Sequence, residues 1–355
     1  MLKNQTISFM EPLLLQTDTA LSQVVFVRFF KEMEEKLRSL LPANRRVIAI
    51  IDEKVDELYG DLFPYDKITV VAEERAKTMA TVEHLVRRLM EMGAERDVFL
   101  LGVGGGITTD ICGFVASIYK RGVRFGFVPT TLLAMTDASI GGKNGVNADG
   151  YKNMLGTIVQ PEFVLVCPEF LGSFTKYDIC RFVPEILKCC LIVGKGFDET
   201  VAFFEKADSP AVRKSEKTVQ ELLSRIRDAV AVKCSVVAKD EKESGERRIL
   251  NLGHTFAHAL ERCTEGKLSH GEAVGIGLVL AAKNGGAEML SEKIAGGLKR
   301  LGLPSQIPDN LDVAHLSESV LQDKKISGHL LNLVVIDDAG KVSLCRKSVS
   351  DLIWM

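Results

Sequence analysis

The stretch DVFLLGVGGGITTD, residues 97–110, decides the fold. An apolar run of strand length ends in three glycines and opens into a segment that continues past Asp110, so it reads as a strand, a tight turn and a helix. Glycines at such a turn let backbone N–H groups approach a pyrophosphate, and the helix start adds a favourable field. The spacing differs from GxGxxG, and a glycine triplet after a strand is by itself as often a plain tight turn as a phosphate seat. Outward from it lie VIAIID (47–52), KITVVA (67–72), RFGFVPTT (124–131) and FVLVCP (163–168), all strand-like, with a helix over 74–93 that stops at Gly93. Strands alternating with helices imply a parallel, helix-covered sheet. Asp52 ends one strand where an acid meets a ribose hydroxyl, and Thr130 and Thr131 end another. Three strand ends of this kind together favour a nucleotide site.

Beyond about Phe170 the pattern changes to helical periodicity over 181–194, 198–206, 214–239, 251–265, 270–290 and 291–301. A break at Gly302-Leu-Pro304 precedes a small hairpin expected over 330–337 and 341–346, turning at Asp338-Ala-Gly340. With 355 residues the chain is long enough for two domains. Apolar residues at 46% and charged residues at 26% exclude disordered and fibrous classes. A net charge of −2, with basic residues scattered and no interleaved aromatics, argues against a nucleic-acid partner and a membrane-surface role. Eight cysteines form no CxxC pair and mostly sit in apolar runs, which fits reduced thiols and a cytoplasmic protein. Neither a signal peptide nor a membrane span is read.

The chemistry concentrates in a few segments. Glu185 in PEILKCC, His254 in NLGHTFAHALE and His270 in LSHGEAVGIGL offer one carboxylate and two imidazoles to a divalent metal, leaving a coordination position open. Taken alone, Glu185 and Lys188 read more simply as a surface salt pair. His254 and His258 stand at i and i+4, on one helix face. The segment 136–156 is too rich in Gly, Asn and Lys for a core element and is expected to be a long ordered loop whose Lys143, Lys152, Asn147 and Asn153 suit phosphate and hydroxyl groups. Lys233, Glu243 and Arg247 lead into the histidine helix. A net-acidic chain that gathers lysines and an arginine near one metal prepares for a multiply anionic small molecule.

In order along the chain, GGGITTDICGFVASIYKRGVRFGFVPTTLLAMTDASIGGKNGVN, PEILK, DEKESGERRILNLGHTFAHALE and HGEAVGIGL resemble the 3-dehydroquinate synthase family of sugar-phosphate cyclases, from about residue 47 to 330. The resemblance implies an α/β fold: an N-terminal Rossmann-like, NAD-binding domain over 1–170, followed by a mainly α-helical domain over 171–355 that binds metal and substrate. It implies Glu185, His254 and His270 as ligands of zinc or cobalt. It implies NAD contacts from Asp52, Glu74, Lys77, Gly105, Gly106, Asp110, Thr130, Thr131, Lys143 and Lys152. Substrate would meet Asp137, Lys143, Asn153, Lys188, Lys233, Arg247, Asn251 and His258, with Lys324 or Lys325 closing over it. Arg121 resembles an arginine that reaches the partner's site in a homodimer. The implied reaction is conversion of 3-deoxy-D-arabino-heptulosonate 7-phosphate to 3-dehydroquinate and phosphate, a lyase step of the shikimate route to aromatic amino acids. Alternatives are another sugar-phosphate cyclase or a metal- and NAD-dependent polyol dehydrogenase. The chain departs from the family pattern at Thr109, Glu73, Met135, Cys189 and Cys190.

Overall fold

The computed structural model describes residues 10–149, 151–206, 215–321, 326–327 and 330–354. The chain divides into two compact units. The first comprises Met1–Gly172 with Val212–Glu241, and the second Ser173–Ala211 with Lys242–Met355.

The first unit is built on a seven-stranded sheet. Its strands are β1 (Leu13–Gln16), β2 (Leu21–Phe26), β3 (Val47–Asp52), β4 (Asp66–Val70), β5 (Phe99–Gly104), β6 (Arg124–Pro129), and β9 (Phe163–Val166), which follows a separate hairpin of β7 (Lys143–Ala148) and β8 (Tyr151–Ile158). The order is β1-β2-β9-β6-β5-β3-β4, parallel throughout except for the antiparallel pairing of β1 with β2. All six residues of β5 are buried, as a central strand covered on both faces requires. Its Gly102 allows the helix Gly106–Ile118 to lie close, since a Cβ there would meet Phe127 at 2.8 Å and Cys112 at 3.0 Å. That packing aims the helix N-terminus along the glycine turn.

Three features differ from the reading of the sequence. The segment 136–156 is not a long loop: its second half forms the β7–β8 hairpin, in which glycines face each other at Gly145↔Gly156. With no side chains there, the alternation that betrays a strand is lost. The short strands β1 and β2, and the helix Phe30–Leu40, precede the first strand recognised in sequence. The helix Glu216–Lys239, expected in the second domain, belongs to the first unit. It packs against β1, and Lys233 Nζ reaches the Asp137 carbonyl at 2.8 Å and its Oδ1 at 2.7 Å. Helical periodicity reports the face a helix buries, not which sheet or bundle receives it.

The second unit is helical, with Val183–Val193, His254–Cys263 and His270–Asn284 at its centre, and it carries a three-stranded antiparallel sheet of β10 (Ile326–Ser327), β11 (Leu330–Asp338) and β12 (Lys341–Ser348). The sharp turn of this sheet falls between Asp338 and Lys341. No helix among the described residues is long and apolar enough to cross a membrane.

Candidate metal centre and anion-binding turns

Glu185 lies in the first turn of the helix Val183–Val193, where Pro184 occupies a position whose missing N–H costs nothing. His254 and His270 each begin a helix. A capping box between Ser269 and Glu272 fixes the start at His270. Gly253, at φ 80°, makes the other start possible: a Cβ there would sit 2.9 Å from Leu278 N and 3.0 Å from Gly277 C. Only glycine takes this left-handed turn and lets the two histidine helices approach so closely.

As a result His254 Nε2 stands 3.3 Å from Glu185 Oε1 and His270 Nε2 stands 3.1 Å from the same oxygen. One ligand atom from each of the three residues falls within 4.8 Å of the others. The outer nitrogens are tied down as well. His270 Nδ1 meets Glu261 Oε1 at 2.6 Å, and His254 Nδ1 meets the Leu252 carbonyl at 3.2 Å. An Nδ1–H held by an acceptor leaves the Nε2 lone pair facing inward, the tautomer a metal ligand needs. The donor set therefore fits a divalent cation of the zinc or cobalt type.

Glu185 is buried, and Lys188 Nζ lies 2.5 Å from its Oε2. Burial raises the carboxyl's pKa, but Lys188 and His254 outweigh that and hold Glu185 well below the usual carboxylate range. His258, one turn beyond His254, stacks edge-on with a centroid distance of 5.7 Å. Arg247, only 2% exposed, occupies the turn Glu246–Asn251 ahead of the histidine helix, and that turn packs on the Glu185 helix. Asn251 Nδ2 donates to Glu243, whose backbone is left-handed at φ 59°.

Glu261 is a residue the reading of the sequence passed over. Its signal was present: it follows His254 by seven positions on the same helix face. Converting it to alanine is expected to weaken metal binding about 10–100-fold, the usual cost of removing such a partner. Glutamine, which keeps the acceptor, should lose less. Competition with a chromogenic chelator measures both, and equal affinity in all three proteins would remove Glu261 from the centre.

Chelated protein is expected to be most stable near neutrality. Burial, helped by Lys188, lowers His254 from 6.5 to about 4. Across that window the unfolded chain takes up a proton that the folded chain refuses, so stability rises with pH. Burial alone would also lower His270, but hydrogen bonds to Glu185 and Glu261 raise it to about 10. From 6.5 upward the folded chain keeps a proton that the unfolded chain has lost, so stability falls as pH climbs towards 10. Melting temperatures across pH in excess chelator should trace this dome, and His270→Gln should flatten its alkaline side.

In the first unit the glycine turn fits a pyrophosphate. A Cβ on Gly105 would lie 3.1 Å from Thr131, one on Gly106 3.0 Å from Ala138, and the first turn of the following helix holds no acidic side chain. Thr130 is buried at the end of β6, and the Thr131 hydroxyl accepts from Ala134 N at 3.2 Å. Asp110 pairs with the buried Lys77, whose ammonium also reaches Asn153 Oδ1 at 2.5 Å. Burial raises Asp110 to about 6 against the opposing pull of Lys77. Glu74 Oε1 accepts from Asn147 Nδ2 at 2.8 Å. Asp52 spends an oxygen on the N–H of Lys54, 3.0 Å away, capping its own helix. Lys143 and Lys152 are exposed on the hairpin, and Asp137 lies in a π-helical turn. The structure thus joins Lys77, Asp110 and Asn153 in one cluster, Asp137 and Lys233 in another, and Glu185, Lys188, His254, His258 and His270 in a third. Lys324 and Lys325 lie outside the described residues.

The chain is similar over most of its length to known proteins. Family profiles described as 3-dehydroquinate synthase N-terminal and 3-dehydroquinate synthase C-terminal match residues 67–181 and 183–326. A 3-dehydroquinate synthase from Pyrococcus abyssi (strain GE5 / Orsay) is 39% identical over 301 residues, covering 83% of this chain and 84% of its own. Among solved structures, 2-deoxy-scyllo-inosose synthase complexed with carbaglucose-6-phosphate, NAD+ and Co2+ superposes with a TM-score of 0.82 at 23% identity, covering 96% of this chain and 97% of that one. A 2-epi-5-epi-valiolone synthase from Streptomyces hygroscopicus subsp. jinggangensis 5008, with NAD+ and Zn2+ bound, gives 0.76 at 26% identity, covering 96% and 95%.

Proposed function

The chain belongs to the 3-dehydroquinate synthase family, and we propose that it converts 3-deoxy-D-arabino-heptulosonate 7-phosphate to 3-dehydroquinate and inorganic phosphate, a carbon–oxygen lyase step of the shikimate pathway. The observation that carries this reading beyond family membership is a pair of buried cations. Lys188 and Arg247, both 2% exposed, stand in the unit that holds the Glu185–His254–His270 trio. Lys188 is paired with Glu185, and two buried cations beside a divalent-metal trio suit a substrate that carries carboxylate and phosphate groups better than an uncharged polyol.

When bound, NAD would take up a hydride and return it, while the zinc or cobalt ion would polarise the substrate's hydroxyls. Glu185, His254 and His270 hold that ion, and Glu261 and the Leu252 carbonyl orient the two rings. In the second unit Lys188 and His258 serve the phosphate, whose departure as an anion they favour. Arg247 pairs with the carboxylate in the planar, two-pronged way a guanidinium allows. Asn251, oriented by Glu243, donates to a ring hydroxyl. In the first unit Gly105, Gly106, Thr130, Thr131, Lys77, Asp110, Glu74, Asp52 and Lys152 form the dinucleotide seat. Lys143 and Asn153 are donors to phosphate, and Asp137 with Lys233 forms the polar pair beside the turn after β6.

The assembly we propose is a homodimer in which the exposed Arg121, held at φ 69°, serves the partner's site. None of the eight cysteines forms a disulfide, which supports a reducing, cytoplasmic location. Incubation of purified protein with the heptulosonate phosphate, NAD+ and Zn2+ tests the reaction. Phosphate and the carbocycle should form in equal amounts with no net NADH. Phosphate released only from another sugar phosphate would point to a different cyclase, and NADH accumulating with a simple diol to a dehydrogenase.

A further inference from the structure

Lys77 is expected from family likeness only as a cofactor contact, yet its ammonium is bonded on two sides. One partner is Asp110 and the other is the side-chain oxygen of Asn153, at 2.5 Å. An ammonium has no acceptor, so only the carbonyl end of the Asn153 amide can face it. The amide's remaining polar group, its NH2, then carries two donors and no acceptor. That is the polarity an anionic oxygen requires.

The surrounding backbone is arranged to hold this contact. The β7–β8 pairing slips between Val146 and Ala148, which releases Asn147 from the ladder. Asn147 pairs with Thr78 instead, and its N–H donates to the Lys77 carbonyl at 2.8 Å. Its side-chain oxygen accepts from the Asn153 N–H at 2.8 Å, while its Nδ2 donates to Glu74 Oε1 at 2.8 Å. Asn153 itself sits at φ 52°, a left-handed conformation that Asn tolerates better than most side chains. The hairpin is thus sewn to the segment 74–78 at both its main chain and its side chains.

We propose that Lys77 is a positioning residue for substrate: it fixes the Asn153 amide with its NH2 turned towards the phosphate, so phosphate affinity depends on Lys77 even when NAD is saturating. The idea rests on the reading of Asn153 as a phosphate donor given above.

The test is a double-mutant cycle of Lys77→Met and Asn153→Ala, with KM for the heptulosonate phosphate measured at saturating NAD+. Each single variant should raise KM about tenfold or more with a smaller change in kcat, and the double variant should be no worse than either. Lys77→Arg should recover part of the loss. Asn153→Asp keeps a partner for the ammonium but has no donors, so it should match Asn153→Ala in KM while keeping the melting temperature. Effects that multiply in the double variant, a Lys77→Met defect that vanishes once NAD+ saturates, or a fully active Asn153→Asp would each overturn the proposal. A second readout needs no substrate: the Asn153 side-chain 15N–1H resonances should be sharp in the native protein and averaged by exchange in Lys77→Met. Unchanged resonances refute the link. Absence of phosphate release by the native protein would refute the functional reading instead, and the amide resonances would still judge Lys77.

Discussion

Replacing His254 by alanine is expected to leave purified protein without its metal and to lower turnover by more than ~10³-fold, because two remaining ligands cannot hold a divalent cation at ordinary concentrations. The geometry makes the loss specific. His254 supplies an inward Nε2 at 3.3 Å from the shared Glu185 oxygen, and its other nitrogen is already committed to Leu252. The fold should survive, since His254 opens its helix and the turn before it is set by Gly253. Elemental analysis alongside far-UV circular dichroism measures both points. Full metal content in a folded His254→Ala protein would mean that the cation is held elsewhere.

Lys188→Met should produce the second large effect, on stability. Lys188 and Glu185 are 2% and 1% exposed and only 2.5 Å apart, so in the metal-free protein the variant leaves the buried carboxylate with protonated His270 as its one close cation among the described residues. Breaking such a pair costs about 3–5 kcal/mol, far more than any exposed pair. In chelator the urea midpoint should drop accordingly. Added Zn2+ should restore much of the loss, because a cation bound at Glu185 replaces the missing positive charge. The pKa of Glu185 should move upward once its nearest cation is gone. An unchanged midpoint in chelator would show that His254 and His270 alone neutralise the carboxylate.

Much of this was legible in the chain before its structure. β3, β5, β6 and β9 each carry a continuous apolar run, as strands buried on both faces must, while the edge strand β4 buries only Ile68 and Val70 in alternation. The metal trio was visible as one carboxylate and two imidazoles, a donor set that leaves a coordination position open, with His254 and His258 sharing one helix face. What escaped had physical reasons. The hairpin around Asn147 replaces side-chain alternation by glycines and polar residues, so its strands lack the signal of period two. Glu261 lay on the visible histidine face, but an acid one residue after a leucine reads as the solvent side of a helix until the crossing helix is in place. The Lys77–Asn153 contact joins residues that no local pattern relates, and only the slip at Asn147 brings them together. The helix Glu216–Lys239 showed its periodicity plainly while hiding which unit it completes.

That last feature bears on how the chain is made. The sheet of the first unit cannot receive its covering helix until residue 241 has left the ribosome, although its last strand ends at Val166. An emerging polypeptide must therefore carry β1 unprotected through synthesis of the intervening segment, and a fragment ending at Gly172 would be born with that apolar side bare. Separate expression of the two halves calls for a circularly rearranged gene in which 212–241 is joined directly to the first 172 residues.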